Sequence, residues 1–207
     1  MTAPVDHPSV TAQIAELEKQ LGRGVAKPPV RPFQIVAADC PWRFGDSLPG
    51  PKRGADKHYE TLTVEQLKTF ALPPIGADAL LFLWRVAAMP QEALDVCAAW
   101  GFEPKSEIVW IKKTVTGARH MGMGRYVRNE HETCIIATRG RGLDLIVDHG
   151  IRSTFEAPVA RHSEKPDEFY ELVRKLTTGR RCELFARRRR PGFWPFGDQV
   201  AERVAAE

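Results

Sequence analysis

The stretch Phe33-Gln34-Ile35-Val36-Ala37-Ala38-Asp39-Cys40-Pro41-Trp42 decides how this chain folds. Its first six residues are apolar except for Gln34, the pattern of a strand buried on both faces. A carboxylate, a proline and an indole follow at once, so the strand is read as delivering Asp39 into a loop at its carboxyl end. Runs of the same kind recur at Ala79 to Trp84, Glu107 to Ile111, Thr133 to Ala137 and Cys182 to Ala186. They alternate with helical patterns at Val64 to Phe70, Gln91 to Trp100 and Asp167 to Leu176. Strands separated by helices predict an α/β fold, a mostly parallel sheet with helices on both faces. Ligands of such sheets sit beyond the carboxyl ends of the strands, where Asp39 falls.

At 207 residues and 43% hydrophobic, the chain has material for one sizeable core. Residues 1–32 read as an appendage. They hold a proline-bearing tail, a short helix from Ser9 to Gly22 with Val10, Ile14, Leu17 and Leu21 at helical spacing, and a linker rich in proline and glycine. Residues 33–207 form the body. Two long segments, Arg43 to His58 and Thr114 to Asn129, lack a pattern, as functional loops do. A formal charge of +4 and a pI near 9.0 suit a polyanionic partner. The four cysteines show no ligand spacing, so no metal is expected. No apolar run approaches the roughly 20 residues of a membrane span, and a cytoplasmic, reduced setting is the expectation.

Asp-X-Pro-aromatic at a strand end suits one kind of chemistry. An amine conjugated to a ring is a poor nucleophile, and two acceptors holding its hydrogens would favour the tetrahedral nitrogen that can attack a methyl group. The Asp39 carboxylate can be one acceptor. The Cys40 carbonyl can be the other, because Pro41 fixes its own φ and holds the preceding residue extended. Trp42 offers a flat face for a base, a contact worth about 1–3 kcal/mol on aromatic platforms. The bland alternative is that Asp39 caps a turn and Trp42 is core. Cys40 also admits a thiolate nucleophile, as in cytosine-C5 methyltransferases, although there cysteine follows proline and here it precedes it.

The tetrapeptide resembles the Asp-Pro-Pro-Trp signature of amino-methyltransferases. From about Phe33 to Val200 the chain is similar to the MT-A70 family, which includes the eukaryotic messenger-RNA N6-adenine methyltransferase and bacterial and phage DNA adenine methyltransferases. The likeness is carried by His58-Tyr59-Glu60-Thr61-Leu62, Leu81-Phe82-Leu83-Trp84, Trp100-Gly101-Phe102, Glu107 to Lys112, Gly124 to Glu132, His162 to Glu168, Glu183 to Arg187 and Gly197-Asp198-Gln199. Cys40 departs from the family's proline at a position that lends only its carbonyl.

The resemblance implies a Rossmann-like S-adenosylmethionine-dependent methyltransferase fold with a permuted motif order, the catalytic motif preceding the cofactor strand. It implies methyl transfer to adenine N6 with S-adenosylmethionine as cofactor. By matched position, Lys165 would hold the cofactor carboxylate and Asp39 would meet its ammonium. Glu183 and Arg187 would lie near the ribose, and Asp198 and Gln199 would complete the pocket. Tyr59 would close over the base, or else pack structurally. Arg125, Tyr126, Arg128 and Asn129, in the basic, glycine-rich segment from Arg119, would meet nucleic acid, or else form a solvated loop. Arg188 to Arg190 could meet phosphates or simply be solvated. The small size resembles the DNA enzymes more than the RNA ones, so DNA is favoured with RNA as alternative, and a homodimer is the assembly to look for. The rivals are a family member serving as an inactive nucleic-acid-binding subunit, and cytosine N4 as acceptor.

Overall fold

The computed structural model describes residues 31–44, 61–122, 124, 126–159 and 164–197. The expected helix at 9–22, the linker before Arg31 and most of 43–58 lie outside these residues. Among these residues seven strands make one sheet. In chain order they are β1 (Phe33–Ala38), β2 (Ile75–Arg85), β3 (Glu103–Lys113), β4 (His131–Arg139), β5 (Thr154–Pro158), β6 (Arg181–Leu184) and β7 (Phe193–Phe196). Among the described residues these strands are accompanied by three helices, α1 (Val64–Lys68), α2 (Pro90–Ala99) and α3 (Asp167–Leu176), and a 3-10 turn at Gly142–Leu145.

The sheet order is β5-β3-β4-β2-β1-β6-β7. All neighbouring pairs are parallel except those of β4, which runs antiparallel to both β2 and β3. The mostly parallel sheet is thus present, with one reversed strand formed as the return arm of a β3–β4 hairpin. Side-chain alternation sends Val36, Ala38, Leu81, Leu83 and Cys182 to one face, under Leu67 of α1 and Ala93, Val96 and Cys97 of α2. Ile35, Ala37, Leu80, Phe82 and Trp84 go to the other, under Phe169, Tyr170 and Val173 of α3. Helices therefore cover both faces. A register shift between Phe33 and Ile35 lets these two residues serve opposite faces.

The helices end where their sequence directs. Thr63 and Gln66 form a reciprocal capping box on α1, and Pro90 opens α2. α3 begins with Asp167 and Glu168 and finishes with Arg174 and Lys175, each sign matched to the helix dipole. Two strands were not expected from the sequence. β5 and β7 occupy the sheet edges and carry Pro158 and Pro195, residues that edge strands tolerate. β6 stops at Leu184, short of the expected Ala186, because Phe185 takes a positive φ of 58° and turns the chain.

Candidate active site

β1 and β6 are parallel neighbours with Ala38 opposite Leu184, so their carboxyl ends open side by side. The chain leaves β1 toward β2 on one side, while β6 and β7 lie on the other, and ligands of such sheets bind where the order diverges in this way. Asp39 stands at this point. Its alternation partner Ala37 faces α3, and α3 presents its N-terminus and the preceding Lys165 at the same edge.

Lys165 Nζ donates to Asp39 Oδ1 at 2.7 Å across 126 residues of sequence. It also lies 3.3 Å from Glu132 Oε2, and Lys112 Nζ lies 2.6 Å from the other oxygen of Glu132. A chain of alternating charges, Asp39–Lys165–Glu132–Lys112, thus spans β1, the loop before α3, β4 and β3. Lys165 is buried, with its ammonium 5.3 Å from the centre of the Trp84 ring. Burial alone would push its pKa down, but the carboxylates of Asp39 and Glu132 outweigh that and hold it above the ordinary lysine value. Glu132 is the mirror case. Burial would push its carboxyl up, and the ammoniums of Lys165 and Lys112 hold it below the ordinary range.

The tetrapeptide is fastened on two sides. Leu62 N–H donates to the Pro41 carbonyl at 2.7 Å and Arg43 N–H to the Leu62 carbonyl at 2.9 Å. Trp42 Nε1–H donates to the Trp84 carbonyl at 3.0 Å. Trp42 is only 4% exposed, so the face expected to be open for stacking is covered. The Cys40 carbonyl accepts the Trp42 N–H at 2.9 Å in a tight turn about Pro41, which leaves one lone pair for a second donor. The Cys40 thiol is buried, and burial followed by the Asp39 charge pushes its pKa well above the ordinary thiol value. A thiolate nucleophile is incompatible with that setting, and the cytosine-C5 alternative falls with it.

Glu183, on β6, is buried beneath α3. Tyr170 donates its hydroxyl to Glu183 Oε1 at 2.5 Å, and burial raises the carboxyl's pKa despite Tyr170 and Arg190. Arg190 Nε lies 3.5 Å from Glu183 Oε2, near enough for attraction, yet neither atom has a hydrogen-bond partner. Arg190 is itself buried, stacks 3.9 Å from the centre of the Tyr170 ring, donates to the Lys165 carbonyl at 3.0 Å and pairs with Asp167. Arg188 meets Glu164 at 2.5 Å and Asp167 at 2.6 Å. The arginines thought available to phosphates are therefore corrected in two cases. Glu164 is half-buried, Glu183 is buried and Asp167 is exposed beside them, and Arg188 and Arg190 turn to these acids and neutralise them.

Arg187 is half-buried just past the β6 end. Gly197 approaches that turn so closely that a Cβ on it would stand 2.3 Å from the Ala186 carbonyl oxygen, which makes glycine obligatory there. Asp198, Gln199, Tyr59 and Arg125 lie outside the described residues. Tyr126, Arg128 and Asn129 are exposed on the β3–β4 connection, apart from the buried cluster. Asp39, Cys40, Lys165 and Glu183 come together; the exposed trio does not join them. Glu132 and Arg190 are the two residues the sequence reading passed over as site members. Glu132 has a signal in hindsight, an acid at the start of an apolar strand, whereas nothing local marks Arg190 among four consecutive arginines.

Comparison with known proteins agrees with this arrangement. The MT-A70 family model matches residues 33–199, which takes in every strand of the sheet. The Drosophila melanogaster protein named "N(6)-adenosine-methyltransferase MT-A70-like protein" is 28% identical over 81% of this chain and 27% of its own length. Homo sapiens "N(6)-adenosine-methyltransferase catalytic subunit METTL3" is 30% identical over 81% of this chain and 28% of its own. The chain thus spans little more than a quarter of the length of these relatives. A Mycoplasma protein named "Type II methyltransferase M.MunI" is closer in size, 25% identical over 84% of this chain and 80% of its own length. With the seven-stranded sheet, the Asp-Cys-Pro-Trp turn at its carboxyl edge and a family match over most of the sequence, the chain belongs to the MT-A70 family of methyltransferases.

Proposed function

We propose that this chain transfers a methyl group from S-adenosylmethionine to the N6 amine of adenine in DNA, site-specifically and without a covalent enzyme intermediate. The observation that carries the reading is the 2.7 Å pair of Asp39 and Lys165 at the open edge of β1 and β6. The amino-acid end of the cofactor is a zwitterion. An ammonium and a carboxylate set side by side are its complement, so Lys165 can turn to the cofactor carboxylate while Asp39 meets its ammonium. Glu183, with one buried oxygen lacking a hydrogen-bond partner, has acceptor capacity for a ribose hydroxyl beside Arg187. Asp198 and Gln199 are assigned to the same pocket on the family resemblance. The residues present therefore fit the group, which when bound supplies a sulfonium methyl as electrophile.

The chain's own part is orientation and preorganised charge. Asp39 and the remaining lone pair of the Cys40 carbonyl accept the two amine hydrogens. Pro41 and the bonds from Leu62 fix that carbonyl in place. Trp42, with its edge tied to Trp84, is assigned to stacking the base on the family resemblance. After transfer Asp39 passes the surplus amine proton to solvent. Tyr59, Arg125, Arg128 and Asn129 are assigned to nucleic acid, Tyr59 closing over the base. We place this activity in the cytoplasm, in the segment 33–207, with residues 1–32 as an appended arm and a homodimer as the working assembly.

The likeness to the type II methyltransferase, which covers 80% of that protein's length, supports DNA. RNA is the second reading, supported by the relatives named for adenosine. Tritiated methyl transfer to DNA and to RNA by purified protein tests both. The expected result is label in DNA that disappears with Asp39→Ala, and label retained by that variant at the parental rate would refute the assignment. Calorimetric titration with S-adenosylmethionine separates the enzyme from an inactive subunit, which need not bind it.

A further inference from the structure

The β3–β4 hairpin offers a feature that methyl transfer itself does not use. β3 runs parallel to β1, so the connection from Thr114 to Glu130 emerges at the same sheet edge as Asp39. Its return arm enters through Glu132, whose carboxylate touches Lys165 at 3.3 Å. The hairpin is therefore rooted in the lip of the site.

Its arms are laced. Lys112 N–H donates to the Glu130 carbonyl at 2.8 Å, His120 N–H to the Lys112 carbonyl at 2.9 Å and Gly122 N–H to the Asn129 carbonyl at 2.9 Å. Arg119 closes on Glu130 at 2.9 Å. The tip is tight as well, since a Cβ on Gly124 would stand 2.0 Å from the Val127 carbonyl oxygen. On this braced finger Tyr126 is 96% exposed, Val127 70% and Met121 66%. No other part of the described surface displays an aromatic side chain so fully. Exposed apolar side chains gathered on a braced tip mark a candidate contact surface.

The charge around the tip chooses the partner. From Lys112 to Glu130 the sequence has five lysines and arginines against one acid; Lys112, Lys113 and Arg119 are paired at the root with Glu132, Glu156 and Glu130, and Arg125 and Arg128 flank the tip in sequence. Arg128 stands exposed directly beside Val127. Apolar and aromatic tips flanked by cations fit a stack of bases between phosphates, where proteins insert such side chains as wedges. A base inside a duplex cannot reach a buried carboxylate unless it leaves its stack, and something must fill the gap it leaves.

We propose that Tyr126, supported by Val127, is a wedge that enters a duplex and occupies the space vacated by the extruded target base, so that the substrate is double-stranded. The inference rests on the adenine-methyltransferase reading and adds the substrate's strandedness to it. A single strand has no opposing base to lose, so the wedge is dispensable there.

The test uses the full chain with genomic DNA from a host lacking adenine methylation, offered native and heat-denatured, and reads tritiated methyl transfer. Tyr126→Ala should lower kcat/KM on native DNA on the order of ten- to a hundredfold, the scale of a lost stacking contact, and lower it several-fold less on denatured DNA. Tyr126→Phe should restore duplex activity, because it keeps the ring. Melting temperature should not move, since the side chain touches little of the fold. Equal losses on both DNAs, or no loss on native DNA, would overturn the wedge. So would sedimentation showing that Tyr126→Ala breaks a dimer, which would make the tip a contact between copies. Wild-type activity confined to denatured DNA would reject the wedge and leave adenine methylation standing, whereas no transfer to DNA or RNA in any form would reject both.

Discussion

Replacing Lys165 by methionine keeps the length of the side chain and deletes its charge, and the consequences follow from the geometry. Lys165 stands 2.7 Å from Asp39 and 3.3 Å from Glu132, at 7% side-chain exposure. Without it two carboxylates face one another across an apolar wall that includes Trp84. Breaking a fully buried pair costs about 3–5 kcal/mol. Asp39 and Glu132 retain 19% and 29% exposure and Glu132 keeps Lys112 at 2.6 Å, so discounting gives about 2–3 kcal/mol at pH 7. With a urea m-value of about 2 kcal/mol/M, the midpoint should fall by roughly 1 M. The sign with pH is also fixed. In the wild type Glu132 is held below its ordinary value, so its contribution is complete above about pH 4.3 and is lost as pH falls through the lower folded value. Lys165 is held above its ordinary value, so its contribution is complete below about pH 10.4 and is lost as pH rises through the higher one. In Lys165→Met, burial of Glu132 and the facing Asp39 favour protonation. Acidification from pH 7 to 5 should therefore stabilise the variant and narrow its deficit to about 1 kcal/mol. Urea melts followed by tryptophan fluorescence at both pH values read this directly. An unchanged midpoint, or a deficit that does not narrow, would refute the reasoning.

Arg190→Met should cost about 3 kcal/mol in the same urea assay, because it strands the buried Glu183 and removes the donor to the Lys165 carbonyl; a loss under 0.5 kcal/mol would count against that packing role. Cys40→Ala should keep methyl transfer within about threefold, since only the backbone carbonyl is used, and a larger loss would restore a role to the thiol. The four cysteines are all buried, with Cys97 pushed up to about 12 by burial, so native protein should resist iodoacetamide as read by intact mass. Trp42→Phe deletes the donor to the buried Trp84 carbonyl and should cost about 1–3 kcal/mol, a thermal melt at parental temperature being the contrary result.

Much of the architecture was legible because its signals are local. Ile35 to Ala38 has no polar interruption, and Asp167 to Leu176 alternates acids, apolar residues and bases as an amphipathic helix must, so β1 and α3 were read with their observed bounds. β2 runs longer than its apolar core because the pairing of Ile75 with Phe33 of β1 carries the strand through Gly76 and Asp78 despite their poor strand propensity. β5 and β7 are five and four residues long, and their prolines read as breakers until an edge position excuses them. At the site, Asp39 and Lys165 were legible as a motif and as a matched position. Their direct contact was not, because the partner of a buried charge is decided by folding. The same holds for Glu132 and Arg190, and for the edge bond that buries Trp42, which a sequence displays only as an aromatic residue after proline.

The central claim is that Asp39 presents an adenine amine for methylation. Its most direct measurement is to express the chain in a host that lacks adenine methylation, digest the DNA and RNA to nucleosides, and quantify methylated bases by mass spectrometry. The account predicts N6-methyladenine in DNA, absent when Asp39→Ala is expressed at the same level. Methylation at cytosine N4, or no new base in either nucleic acid, would contradict it.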